Sequence, residues 1–236
     1  MPVDLRLNAI VDPERAGGHD LADLARLCAQ GGATLVQLRD KVSETRAMVR
    51  EARAIKAALA PFRVPFVVND RIDVALAAKA DGVHLGPDDM AIEDARALLG
   101  RGAIVGLSIK SVAEADAAPL DLIDYVGSGG VYVTLSKEQK NPPIGPQGLA
   151  RIIAALHRRA ANLPVVGIAG IDAGNAAEVI GAGAAAGISS LYYPGAERDW
   201  TKVGQRWLTN VSLDGATFIF KEFWPDINNK IFHQKD

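Results

Sequence analysis

A chain of 236 residues, 49% hydrophobic and 23% charged, holds enough apolar material for one large core. Its formal net charge of −2 leaves no basic stripe to follow a phosphate backbone, so nucleic acid is not expected as a partner. No apolar stretch approaches the roughly 20 residues that cross a bilayer, the start Met1-Pro2-Val3-Asp4-Leu5-Arg6 lacks a leader pattern, and the lone Cys28 can form no internal disulfide. A cytoplasmic protein with no membrane association is therefore expected.

Apolar runs rich in Val and Ile recur near residues 5–11, 35–38, 65–68, 82–85, 103–107, 123–127, 164–168 and 187–193, and are predicted as strands. Between them, residues 20–30, 43–60, 71–79, 91–99, 111–117, 146–161 and 173–182 carry apolar residues at three- and four-residue spacing, which predicts helices. Strand then helix, repeated, implies a parallel sheet with right-handed crossovers. The near-continuous apolar strands imply burial on both faces. Eight such units favour an α/β fold of the closed (β/α)8 TIM-barrel type, a single domain over residues 1–195, whose usual length of roughly 250 residues this chain approaches. Cys28 falls near Leu24 on the apolar stripe of the first helix and is read as packing. Residues 196–236 differ in character: they hold Trp200, Trp207 and Trp224 together with Phe218, Phe220, Phe223 and Phe232. An eighth helix over about 197–211 followed by an extension is expected there, with its aromatic surface as a possible site of homo-oligomer formation.

Polar groups gather where the apolar runs stop, and carboxyl-terminal strand ends are where parallel α/β proteins bind ligands. Gln37, Arg39 and Lys41 alternate at the end of the second strand, so extended geometry would aim them to one side, where both cations could grip one anion. Gln37 would then reach the barrel interior, where its amide needs a partner that a ligand could supply. Asn69 and Asp70 end the third strand, and Asp70 reads either as the cap of the following helix or as a ligand-binding acid. Asp88 and Asp89 follow a Gly-Pro turn, and one of them is expected to cap the next helix. If Asp70 and Asp89 converge, Mg²⁺ would relieve their repulsion most simply. His84 is placed on the face opposite Gly86 and read as structural. Ser108 closes the fifth strand and reads as a hydrogen-bond donor, since no spacing pairs it with a triad. After the sixth strand, Gly127-Ser128-Gly129-Gly130 precedes Thr134, Ser136 and Lys137, which alternate with other residues as phosphate-binding groups do. Gly170 follows the seventh strand ahead of a helix, a usual phosphate seat in barrels, with Asp172 as the expected cap.

Gln37-Leu38-Arg39-Asp40-Lys41, Asn69-Asp70-Arg71, His84-Leu85-Gly86-Pro87-Asp88-Asp89, Gly106-Leu107-Ser108, Thr134-Leu135-Ser136-Lys137 and Gly170-Ile171 together resemble the thiamine phosphate synthase family, in register over roughly residues 5–185. The resemblance implies a transferase in which the ring nitrogen of a thiazole phosphate displaces pyrophosphate from a hydroxymethylpyrimidine diphosphate. It further implies Asp70 and Asp89 as ligands of a Mg²⁺ cofactor, and Arg39, Asn69 and Lys137 as a pyrophosphate clamp. Gln37 and Ser108 would hold the pyrimidine and its diphosphate, and Thr134, Ser136 and Gly170 the thiazole phosphate. The partners implied are these two small molecules alone.

This chain departs from the family pattern in places. Gly130 and Val133 stand where prolines are usual, and Ala169 where glycine is usual. The eighth strand usually ends in an Ile-Ser pair whose amides bind phosphate, whereas here the run reads Ala186-Gly187-Ile188-Ser189-Ser190-Leu191-Tyr192-Tyr193 and the resemblance stops. Two other readings follow: a phosphate-ligand-binding barrel that has lost catalysis through its altered C-terminal quarter, and a thiazole tautomerase, which would need a histidine after the sixth strand that this sequence lacks.

Overall fold

The computed structural model describes residues 3–134, 141–171 and 175–188. Eight parallel strands, β1 (Leu7–Val11), β2 (Leu35–Leu38), β3 (Phe66–Asn69), β4 (Gly82–Leu85), β5 (Ile104–Ile109), β6 (Tyr125–Gly129), β7 (Val165–Ile168) and β8 (Ala185–Ile188), close into a barrel in chain order. Seven helices cover it among the described residues: α1 (Leu21–Gln30), α2 (Thr45–Leu59), α3 (Ile72–Ala78), α4 (Ile92–Leu99), α5 (Val112–Ala117), α6 (Gly145–Arg159) and α7 (Ala176–Gly181). The predicted fold class is the observed one. The predicted eighth helix, the aromatic segment and its association surface lie outside the described residues, as do Ser136, Lys137 and Asp172.

Local chemistry explains the element ends. Asp20 caps α1 by accepting from the Asp23 amide, and Ser111 caps α5 by accepting from the Glu114 amide. Pro61 has no N–H to continue α2, so the chain tightens into a 3-10 turn over Ala60–Phe62 and stops at Arg63 with φ 55°. β8 begins two residues before the predicted span, because its small residues pair on both sides, Ala185 with Val166 and Ala186 with Leu7. α7 begins at Ala176 rather than near 173.

Two apolar layers result. Leu35, Val67, Tyr125, Val166 and Ile168 fill the barrel interior with Leu5 beneath them, while Val36, Phe66, Val68, Val83, Val105 and Val126 face outward onto the helices. Cys28 packs against this outer layer, and burial pushes its thiol up to about 12. Among the described residues, no helix is long and apolar enough to cross a membrane.

Charges at the amino ends of the strands pin the register. Asp81 accepts from the Phe66 amide at 2.8 Å and from Lys56 at 2.6 Å. Asp124 likewise takes the Val105 amide and Arg96, each at 2.8 Å, and Arg96 also donates to the carbonyls of Leu122 and Ala103. Each carboxylate satisfies an amide at the start of one strand, the first of β3 and the second of β5, while holding a cation from a helix. Conservation of space is equally strict: a Cβ at Gly82 would stand 1.8 Å from the Ile104 carbonyl oxygen, a backbone atom that cannot move without breaking the sheet. Gly82→Ala is expected to destabilise the barrel by about 3 kcal/mol or more through overpacking, read as a fall in the denaturant midpoint with little change in slope.

Candidate active site

Among the described residues, the polar clusters singled out in the sequence lie at the carboxyl end of the barrel, yet the side chains pair in ways that spacing did not foretell. β2 stops at Leu38, and the Asp40 carboxylate accepts from the amides of Val42 and Ser43, turning the chain. Arg39 and Lys41 therefore do not point together. Arg39 leans toward β1 and meets Asp12 at 2.5 Å, whereas Lys41 crosses toward β3 and pairs with Asp70. Asp12, buried and held also by the Glu14 amide, is a site residue the sequence reading missed. It lies one residue past the end of β1, just before Pro13.

Asp70 is not the cap of α3; Arg71 occupies that position without a side-chain bond. The chain passes through Asp70 at φ 62°, a left-handed conformation Asp tolerates, and this turns its carboxylate to the mouth. Neither Asp88 nor Asp89 caps α4, whose cap is Ala91. Asp89 instead folds back to accept from the Gly86 amide at 2.7 Å. Its carboxyl lies in hydrogen-bonding contact with that of Asp70. Burial first, and then the neighbouring Asp89, push the Asp70 carboxyl above its ordinary 3.8, with Lys41 opposing. Two touching carboxylates flanked by cations are a donor set suited to a small divalent ion that takes its other ligands from phosphate and water. Among the described residues no three His, Cys, Asp or Glu side chains converge, so any such ion would rest on this pair.

Below the mouth, the barrel interior carries uncompensated polar groups. Gln37 is 2% exposed and, among the described residues, its Nε2 has no hydrogen-bond partner; Asn8, two residues below the partner of Gln37 on β1, has neither amide atom satisfied among them. Asn69 ends β3 in register with His84. His84, read as structural, points inward from β4, beside Gly106 and Gly127. In the barrel interior its Nδ1 lies 3.0 Å from the Tyr125 hydroxyl and its Nε2 2.9 Å from Ser108 Oγ.

On the opposite side of the mouth, the loops after β6 and β7 are laced together. The Val131 amide donates to the Ile168 carbonyl and the Tyr132 amide to that of Ala169. Thr134 thus lies on the same flank as Gly170. A Cβ at Gly170 would stand 2.2 Å from the Val133 carbonyl oxygen, and its φ of 64° also selects glycine. Ala169 adopts φ 88° with no such freedom.

Against this geometry, the family model described as thiamine monophosphate synthase matches residues 7–191. The chain belongs to that family. It is 47% identical over 182 residues to the thiamine-phosphate synthase of Agrobacterium fabrum, covering 77% of this chain and 83% of that one. To the thiamine-phosphate synthase of Xanthobacter autotrophicus it is 45% identical over 183 residues, covering 78% and 84%. Among solved structures, a thiamine phosphate pyrophosphorylase from Pyrococcus furiosus superposes with a TM-score of 0.72 at 32% identity, covering 93% of this chain and 99% of that one. Family membership makes the chain an enzyme of the transferase class.

Two measurements test the site's energetics. Ala169→Gly relieves a left-handed alanine and is expected to raise stability by about 0.5–1 kcal/mol after the extra entropy of glycine is counted, seen as a rise of roughly 2 °C in Tm. For Asp70, the folded carboxyl keeps its proton to a higher pH than the unfolded chain does, so stability falls as pH rises between 3.8 and the raised value and stays lost above it. Asp70→Asn is accordingly expected to raise Tm at pH 7 relative to the parent, with the difference vanishing below pH 4.

Proposed function

We propose that this chain is a thiamine-phosphate synthase that condenses 4-amino-5-hydroxymethyl-2-methylpyrimidine diphosphate with hydroxyethylthiazole phosphate. The C–O bond to the diphosphate breaks, pyrophosphate leaves, and the thiazole nitrogen forms the new C–N bond. The observation that carries this reading is the contact of Asp70 with Asp89 and Lys41, with Arg39 held by Asp12 nearby on the β1 side, at the mouth of a barrel of this family. Such a cluster is suited to a substrate with several negative charges and poorly suited to a neutral one.

In this reading the chain's own groups bind and orient. Gln37 offers its unpartnered Nε2 to the pyrimidine edge, which is worth most where water is excluded. Arg39, Lys41, Asn69 and Lys137 hold the diphosphate, and Ser108 donates to it. Their work is to stabilise charge that gathers on departing pyrophosphate, the kind of fixed electrostatic assistance that contributes several kcal/mol to a transition state. Asp70 and Asp89 would hold Mg²⁺, which supplies Lewis-acid neutralisation of the leaving group when bound. Because the pyrimidine is electron-rich, its benzylic-type carbon tolerates early loss of the leaving group, so a dissociative path suits this electrostatic design. Thr134 and Gly170, on the opposite flank, receive the thiazole phosphate, with Ser136 as a further donor to it, which sets the two substrates face to face across the interior. The sequence of the loop after β6 contains no histidine, which leaves the tautomerase chemistry without its acid or base.

The test is pyrophosphate release and thiamine phosphate formation from the two substrates, with and without Mg²⁺, on the intact chain and on Asp89→Ala. Metal-dependent product that falls about 100-fold or more in the variant is expected. A folded chain that binds the pyrimidine diphosphate without forming product would instead support the binding-only barrel.

A further inference from the structure

Three side chains from three adjacent strands form a single row inside the barrel: Tyr125 on β6, His84 on β4 and Ser108 on β5. The Tyr125 hydroxyl is 3.0 Å from His84 Nδ1, and His84 Nε2 is 2.9 Å from Ser108 Oγ. Tyr125 is wholly buried and His84 is 4% exposed. The row exists because β5 makes room for it. His84 and Tyr125 are both in register with Gly106, one on each side. A Cβ at Gly106 would lie 2.2 Å from the Tyr125 ring and 2.6 Å from His84 Nδ1, and one at Gly127 would lie 2.7 Å from His84 Cε1. A glycine at each position is thus required for the imidazole and phenol to meet across the intervening strand.

The direction of the hydrogen bonds follows from what the phenol can do. Among the described residues His84 is the one partner of the Tyr125 hydroxyl. If the phenol accepted from Nδ1–H, its own buried proton would have no acceptor, a cost native interiors avoid. Donating to Nδ1 satisfies it. Burial also raises the Tyr125 phenol well above its ordinary 10, so it keeps the proton it donates. A neutral ring that accepts at Nδ1 carries its proton on Nε2. That proton goes to Ser108 Oγ, whose lone pair is then occupied and whose own O–H is left to donate outward.

We propose that Tyr125, acting through the tautomer of His84, positions the Ser108 hydroxyl to donate its proton to a diphosphate oxygen of the substrate. The inference rests on the synthase reading for the identity of the acceptor, but the tautomer itself does not. Ser108 is the residue that touches substrate; His84 and Tyr125 are positioning residues. No bond other than hydrogen bonds changes, and the proton stays on Ser108 throughout.

The experiment begins with the wild-type chain labelled with ¹⁵N in its 4 histidines, the His84 signals being assigned by their loss in His84→Gln. A neutral Nε2–H tautomer is expected between pH 6 and 8; an Nδ1–H ring or an imidazolium would overturn the proposal without any variant. Tyr125→Phe, which keeps the ring, is expected to retain Tm within a few degrees, give mixed tautomers, and lower kcat/KM for the pyrimidine diphosphate roughly 10-fold. In a Ser108→Ala background the same change is expected to have no further effect, whereas losses that multiply would overturn the relay. A wild-type chain with the Nε2 tautomer that makes no thiamine phosphate would fail the functional reading and leave the relay standing.

Discussion

Like charges held in contact at the rim of an apolar barrel are the constraint around which the other groups of this site are arranged. Asp70 and Asp89 touch, partly buried, and such a pair persists only if positive charge or a shared proton is near. Lys41 supplies the charge from β2, and the Gly86 amide fixes Asp89 from its own turn. On the other side of Lys41, Arg39 is tied to Asp12. The mouth therefore pairs each cation after β2 with an acid from a neighbouring strand end, Arg39 with Asp12 and Lys41 with Asp70, and the cations are preorganised by the acids they neutralise. A polyanion entering here would exchange those partners rather than find bare cations, which lowers the reorganisation needed at the moment of reaction.

The two ends of the barrel divide the labour. At the amino ends, Asp81 and Asp124 each combine a strand amide with a cation from a covering helix, a use of charge that contributes register and nothing to ligands. Toward the carboxyl ends the interior polar atoms are less completely satisfied: among the described residues the Gln37 amide nitrogen, and lower down both polar atoms of Asn8 on β1, remain without partners. Each unsatisfied amide in such a place costs about 1–3 kcal/mol, which a bound heterocycle offering complementary atoms would offset. The stability lost on one face is a condition for recognition on that face.

Much of this was legible in the chain because barrels write their strands as short apolar runs and their sites as polar residues just past them. Gln37, Asn69 and Asp70 declared themselves by interrupting such runs, and the family motifs tied them to a chemistry. What stayed hidden was pairing across strands. Arg39 and Lys41 diverge because β2 has already ended and Asp40 bends the chain, so a rule for extended residues no longer applied. His84 and Tyr125 lie 41 residues apart and meet only because Gly106 lies between them, a relation no local window contains. Asp70, and one of Asp88 and Asp89, could be read as helix caps, and only the backbone conformation at Asp70 and the folded-back Asp89 show that they are not.

Chain order and strand order coincide throughout this barrel, so every strand pair but one joins neighbours in sequence. The exception is the seam, where Leu7, Asn8 and Ala9 meet Ala186, Gly187 and Ile188 across nearly the whole described chain. Closing that loop carries the largest entropic cost of any pairing, whereas β1 through β7 can assemble by short crossovers. Folding of this protein thus has an inherent order in which an open, twisted sheet precedes the closed one. Until the seam forms, β1 presents a bare edge with Asn8 on it, and the polar interior above it has no eighth wall. The ligand site is accordingly a late product of folding, complete only when the two ends of the described chain have found each other.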